Sequence, residues 1–295
     1  MAMIPRKAAP ALAAGCTMVL KPASAPPLSA PALAELGRRA GVPDGVFNVV
    51  PGAAASVGNV LATHPLVRKL TFTGSTEVGR TLMAKASATI KKVSLEPGGN
   101  APVIVFNDAD LDAAVAGTIA TKFRNMGQTS VCANRSYVQT GIDDRFVDAL
   151  IKAVVTRKIG NGTSEGVAHA PLIDIAAVEK CETHIKNAAS HGAQVAFGEK
   201  RHALGQTFFE PKVLTGATQA MQIAHEETFG PVAPIFRFES ELTVIKMAND
   251  TEFGLAAYFF TADQTRIWRI SEALEYGIIG IHTGVTSYKG APFGG

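Results

Sequence analysis

Leu70-Thr-Phe-Thr-Gly-Ser-Thr-Glu-Val-Gly-Arg80 is the stretch that decides the fold. An apolar run ends in the small residues Gly74, Ser75 and Thr76, and an amphipathic run comes next. That is a strand, a tight turn and the start of a helix. Gly74 permits the turn, Gly79 permits close packing of the helix, and the free amides of a first helical turn favour a phosphate. Taken alone the segment stays ambiguous. It is not GxGxxG, and many strand–helix turns contain Gly-Ser-Thr for structural reasons only.

The same alternation extends on both sides. Strands are predicted over residues 16–20, 46–50, 69–73 and 92–95, with helices over 28–40, 53–63 and 76–88. Val46-Phe-Asn-Val-Val50 is apolar almost end to end, as strands covered on both faces tend to be. The cluster Glu96-Pro-Gly-Gly-Asn-Ala-Pro102 breaks the pattern, and a second series begins after it. Its strands are predicted over 103–106, 136–139, 232–238, 255–261 and 278–281. Its helices are predicted over 111–125, 143–157, 176–190, 241–248 and 264–275. Asp108 or Asp110 caps the first of these, and Gly192 suits the stop of the third. The fold class expected is α/β, as two consecutive three-layer domains with largely parallel sheets, residues 1–98 and 99–295.

Composition removes several classes of function. Of 295 residues, 47% are hydrophobic, enough for substantial cores. Charged residues at 18% fall below the usual share of about 25%, so part of the surface is expected to be covered. The net charge is +3, and the pairs Arg38-Arg39 and Lys91-Lys92 are isolated and not interleaved with aromatics. No nucleic-acid partner is expected. Cys16, Cys132 and Cys181 form no CxxC and no disulfide framework, which fits a reducing, cytoplasmic compartment. No apolar run reaches the ~18 residues of a membrane span, so no membrane partner is expected. Arg6-Lys7 and the apolar residues after it imitate a signal peptide, but Pro10 interrupts the run, and the later residues read as a helix and a strand. His225-Glu226-Glu227 is a fragment of HExxH with Phe229 in the second histidine position, so no metal site is expected.

Four positions carry candidate chemistry on their own. Lys21, in Lys21-Pro-Ala-Ser24, ends an apolar strand and could reach ribose hydroxyls or simply be a solvated strand end. Glu96 ends a strand just before Pro-Gly-Gly. A carboxylate in such a tight turn could have a raised pKa and act as a base, or be an ordinary surface glutamate. Ser130 and Cys132 lie in a loop after a helix, and neither has a sequence neighbour that identifies a triad.

Together the pieces point further. Lys21-Pro-Ala-Ser24, Phe72-Thr-Gly-Ser-Thr-Glu-Val-Gly79, Leu95-Glu-x-Gly-Gly-Asn100, Gly127-Gln-Thr-x-Val-Cys132, Glu226-Glu-Thr-Phe-Gly-Pro231, Phe253-Gly-Leu-Ala-Ala257 and Pro292-Phe-Gly-Gly295 occur in one order. The set resembles the aldehyde dehydrogenase superfamily along essentially the whole chain. Lys122-Phe-Arg-Asn125 and Val131-Cys-Ala-Asn-Arg135 make it similar to the NADP-preferring bacterial succinate-semialdehyde dehydrogenases. The resemblance implies oxidation of a small-molecule aldehyde to an acid with NADP (or NAD), most of all succinate semialdehyde to succinate. It also implies roles. Lys21 and Ser24 face the adenine ribose, where a serine in place of an acid suits a 2′-phosphate. Gly74 and Ser75 lie at the pyrophosphate turn. Glu227 holds the nicotinamide ribose, with Phe229 near the ring. Glu96 is the base that activates water. Arg124 pairs with the distal carboxylate of the substrate, and Ser287 is a weaker candidate for the same group.

The chain also departs from that pattern. The family's catalytic cysteine is Ser130 here. A thiol with pKa about 8.5 supplies some thiolate near neutrality, whereas a hydroxyl needs a strong, well-placed base. A loss of several orders of magnitude in oxidation rate is expected. Cys132, two positions on, is expected to point elsewhere. Pro97 replaces a leucine after the base, and His282 stands where the family has an asparagine. Met1 to Lys7 aligns with the middle of the family's cofactor domain, and the chain stops inside the Pro292-Phe-Gly-Gly295 signature. The resemblance therefore implies an incomplete first domain and a missing C-terminal segment, which puts the family-type homo-oligomer in question. The alternative to an impaired enzyme is a non-catalytic fragment that binds nucleotide or associates with a homologue. A third reading, an esterase using Ser130, lacks an identifiable histidine partner.

Overall fold

The computed structural model describes residues 3–25, 27–198, 200–287, 290 and 293–294. The chain divides into two units, Met1–Pro97 and Gly98–Gly295.

In the first unit, helices α1 (Met3–Ala13), α2 (Ser29–Arg39), α3 (Ala54–Thr63) and α4 (Thr76–Ser87) alternate with strands β1 (Met18–Leu20), β2 (Phe47–Val49), β3 (Lys69–Thr73) and β4 (Lys92–Glu96). β1 pairs with β2 and β3 with β4, both in parallel, and Thr73 lies opposite Glu96. The expected alternation is present. Its core centres on Ala62, Leu70 and Ala86, with Leu61, Leu82 and Val93 packed against them. Gly79 is buried, yet a Cβ there would find only ordinary contacts, the nearest with Leu95 at 3.8 Å. Close packing does not require a glycine at that position.

The second unit contains strands β5 (Ala101–Val105), β6 (Ala133–Gln139), β7 (Gln194–Phe197), β8 (Lys212–Ala217), β9 (Val232–Phe238), β10 (Ala256–Phe260) and β11 (Ile278–Ile281). Its helices are α5 (Leu111–Lys122), α6 (Asp143–Val155), α7 (Ile175–Ser190), α8 (Gln222–His225), α9 (Glu241–Asn249) and α10 (Gln264–Ala273). The strands form one sheet in the order β11-β10-β5-β6-β9-β8-β7, parallel throughout except for β7 against β8. Side chains of a strand alternate between faces, and the core divides accordingly. Ile104, Phe106, Phe236 and Phe259 pack with Val178 of α7, Val244 of α9 and Ile270 of α10. Val103, Val105, Ile235 and Phe260 pack with Val115 of α5 and Phe146 of α6. This is a helix–sheet–helix sandwich.

Several elements differ from expectation. The helix expected to run to residue 125 ends at Lys122, because Asn125 and Met126 have left-handed backbones (φ 49° and 60°). Asp110 is the cap, accepting the Ala113 N–H at 3.0 Å, whereas Asp108 takes the Thr261 hydroxyl at 3.0 Å. The sequence pattern does not predict β7, β8 or α8. No helix among the described residues is long and apolar enough to cross a membrane.

Candidate active site

The first unit places its candidate residues at the C-terminal ends of parallel strands, where α/β proteins commonly bind ligands. Lys21 follows β1 and is half-buried, and Ser24 is exposed. Gly74 follows β3, and its N–H donates to the Glu96 carbonyl at 3.3 Å. Ser75 caps α4 through the Val78 N–H at 3.4 Å. Beside it the Thr76 hydroxyl is buried without a hydrogen-bond partner. Glu96 ends β4. Burial pushes its carboxyl above the usual range, while the nearby Lys7 and Arg6 pull it down. Lys7, on α1, donates to the Thr71 hydroxyl at 2.9 Å, and burial lowers its own pKa. In the sequence Lys7 reads only as part of the basic pair Arg6-Lys7, because its partner Thr71 lies 64 residues away.

The second unit builds the Ser130 turn from unusual backbone. Asn125, Met126 and Gly127 are consecutive left-handed residues. Gly127 has φ +74°, and a Cβ there would lie 2.3 Å from the Gly230 carbonyl oxygen, so only glycine fits. The next turn is closed by the Cys132 N–H donating to the Thr129 carbonyl at 2.8 Å. From behind, Gly99 abuts the Ser130 carbonyl, which a Cβ at 99 would meet at 2.3 Å. Tyr258 donates to the Val131 carbonyl at 2.7 Å and lies 3.3 Å from the Thr286 hydroxyl. Ser287, exposed, is the residue after that contact. Half-buried Ser130 has no side-chain hydrogen bond to any described residue of its unit.

Cys132 is not presented as an alternative nucleophile. It is buried, and its Sγ lies 3.6 Å from the Arg124 carbonyl on the inner side of the turn. Burial raises its pKa, only partly offset by Lys122. Lys122, 1% exposed, is a further residue that the sequence pattern hid in the last turn of α5. Burial lowers its pKa to about 8, against the pull of Cys132, Cys181 and Glu227. Arg124, by contrast, is exposed and makes no ion pair among the described residues.

Glu227 is brought to the same place as Ser130 through the Gly98-Gly99 pair. Its Oε1 accepts the Gly99 N–H at 3.0 Å, and a Cβ on Gly98 would meet Oε2 at 2.4 Å. Burial raises its pKa, while the Gly99 bond and the nearby Lys180 and Lys122 oppose the rise. Phe229 is 38% exposed with φ +53°, a strained conformation for an aromatic residue. His282, with φ +55°, is left-handed too, which accounts for an asparagine being the commoner choice at such a position. Within this unit Ser130, Gly99 and Glu227 therefore converge. No group of three or more metal-ligating side chains occurs among the described residues. Of the Pro292-Phe-Gly-Gly295 signature, Pro292 and Gly295 lie outside the described residues.

Comparison with known proteins identifies the family. Residues 1–295 match the aldehyde dehydrogenase family. The chain is 62% identical over 294 residues to the glutarate-semialdehyde dehydrogenase of Pseudomonas aeruginosa, covering 100% of this chain and 61% of that protein. Identity and coverage are the same for the succinate-semialdehyde dehydrogenase (NADP+) GabD of Escherichia coli. A crystal structure of an E. coli NADP-dependent enzyme superimposes with a TM-score of 0.98 at 61% identity, covering 99% of this chain and 61% of that one. The chain thus spans about three fifths of the length of the relatives it matches. It belongs to the aldehyde dehydrogenase family.

Proposed function

We propose that the chain carries the machinery for NAD(P)-dependent oxidation of an aldehyde bearing a distal anionic group, with succinate semialdehyde as the leading substrate. The activity is strongly reduced by Ser130. The observation that carries the substrate class is Arg124, an exposed guanidinium without an ion-pair partner among the described residues, six positions before Ser130. A guanidinium fork suits a carboxylate. Succinate and glutarate semialdehydes differ by one methylene, and equal identity to the two relatives does not separate them. Ser287 is proposed as a second contact for the same carboxylate.

Residues 1–98 are proposed as the dinucleotide-binding part and residues 99–295 as the catalytic part. The first part fits a nucleotide. The orphaned Thr76 hydroxyl, beside the Ser75 cap and the Gly74 turn, suits a phosphate oxygen. Lys21 suits ribose hydroxyls, and Ser24 leaves room for a 2′-phosphate, which favours NADP over NAD. Glu227 is proposed to hold the nicotinamide ribose, with Phe229 near the ring. The nucleotide, when bound, supplies the hydride acceptor. The protein's own work is to hold the aldehyde through Arg124, attack its carbon from position 130, and draw a proton from water through Glu96. Burial raises the pKa of Glu96, which makes its carboxylate a stronger base.

A second reading is favoured by Ser130 itself: a nucleotide-binding fragment without turnover, or one that associates with a homologue. Cofactor-dependent turnover of succinate semialdehyde, measured for this chain and for Ser130→Cys, separates the two. A fast cysteine variant supports the first reading. Two inert proteins that still bind NADP support the second.

A further inference from the structure

We propose that Asn134, backed by Asn100, is a positioning residue that fixes the Glu227 carboxylate for a ribose diol of the nucleotide. The proposal rests on the cofactor reading above. Asn134 is 3% exposed, and Asn100 and Thr228 are 1% exposed. The Asn134 carboxamide brackets Glu227. Its Nδ2 donates to the Glu226 carbonyl at 3.0 Å, and its Oδ1 accepts the Thr228 N–H at 3.1 Å. A main-chain carbonyl only accepts and a main-chain N–H only donates, so these partners fix which way the carboxamide faces. The side chain stands where the peptide group of a neighbouring strand would stand. The residues on both sides of Glu227 are thereby pinned.

Asn100 extends the clamp. Asn134 Nδ2 also donates to Asn100 Oδ1 at 2.6 Å, which turns Asn100 Nδ2 to the Ala224 carbonyl at 3.0 Å. Arg135 Nε holds the Asn100 carbonyl at 3.0 Å. The residue before Asn100 is Gly99, whose N–H holds the Glu227 carboxylate. Main chain and carboxylate of Glu227 are thus referred to one frame, the frame that also abuts Ser130. The left-handed backbone of Phe229 comes directly after, and such a conformation persists only where its surroundings over-determine it.

The test uses the full chain, with Asn134→Ala and the milder Asn134→Ser. Binding is measured for NADPH and for adenosine 2′,5′-bisphosphate, which lacks the nicotinamide ribose. The expected result is a roughly tenfold weaker Kd for NADPH, with the bisphosphate unchanged. In a Glu227→Ala background, Asn134→Ala adds nothing. Equal weakening of both ligands, or the same tenfold loss without Glu227, overturns the proposal. If the unsubstituted chain binds neither ligand, the cofactor reading fails, and hydrogen exchange then judges the clamp. Faster exchange of the Gly99 N–H than of β5 in the Asn134 variants supports it, and unchanged exchange overturns it.

Discussion

The two units are written in the same strand–helix alternation but bury it differently. β5 and β10 of the second unit are buried at every residue. β1, β2 and β4 of the first unit contain no fully buried residue, and in β3 only Leu70 is buried. Candidate residues follow the same division. Gly74, Ser75 and Ser24 sit on exposed turns. Ser130 and Glu227 sit against backbone that tolerates no added atom. Geometric precision is concentrated in the second unit, and a common sequence pattern does not imply a common rigidity.

The largest expected effect breaks the Ser130 turn. Gly127→Ala forces a Cβ into the Gly230 carbonyl at a left-handed residue, and about 4 kcal/mol of stability is expected to be lost. Gly74→Ala meets the Phe72 ring instead, which can turn aside, and about 1 kcal/mol is expected. Denaturant unfolding of both variants checks this. Equal losses would erase the contrast between the units.

Core truncation sharpens the same comparison. Phe236, 0% exposed, packs at the centre of the sheet sandwich, and Phe236→Ala is expected to cost about 4 kcal/mol. Leu70, 7% exposed, belongs to a smaller cluster, and Leu70→Ala is expected near the low end of its class, about 2 kcal/mol. Hydrogen exchange in β9 and in β3 reads the two losses separately.

Acid should act on the units with opposite sign. His169 of the second unit is fully buried and accepts a hydrogen bond from Arg157 Nε at 2.9 Å. Burial lowers its pKa from 6.5 to about 4. Below pH 6.5 the unfolded chain takes up a proton that the folded chain refuses until about pH 4, so stability falls across that window. Glu96 of the first unit has a raised pKa. Its folded state holds a proton more tightly, so its contribution is present at acid pH and is lost as pH rises through the folded value. His169→Gln is expected to flatten the acid limb of the second unit, and Glu96→Gln to remove the opposite trend in the first. A pH series of hydrogen exchange on each variant measures both.

The alternation, and the motifs that interrupt it, were legible in the sequence. Apolar runs such as Ala256 to Phe260 became buried strands because a parallel sheet covers both faces. Less legible were elements whose polar residues are satisfied internally. Lys212 opens β8 while 4% exposed, its ammonium donating to the Lys200 carbonyl at 2.8 Å. A lysine there reads as solvent-facing, and the strand goes unseen. The same blindness covers the site. Asn100, Asn134 and Arg135 look like polar interruptions, yet all three are buried, Asn100 just before β5 and the other two within β6, with Arg135 bonded to the Met247 and Ala248 carbonyls at 3.0 and 2.8 Å. Burial of a polar side chain depends on partners more than a hundred residues away, which no local pattern reveals.

The proposed function turns on the attacking atom at position 130, set beside Gly99 and, through it, Glu227. The most direct test is the rate of NADPH formation from succinate semialdehyde by Ser130→Cys relative to the unsubstituted chain at saturating NADP. The account predicts a gain of roughly a thousandfold or more, as a thiolate replaces an unactivated hydroxyl. A folded Ser130→Cys protein that binds NADP and turns over no faster than the serine chain would contradict it.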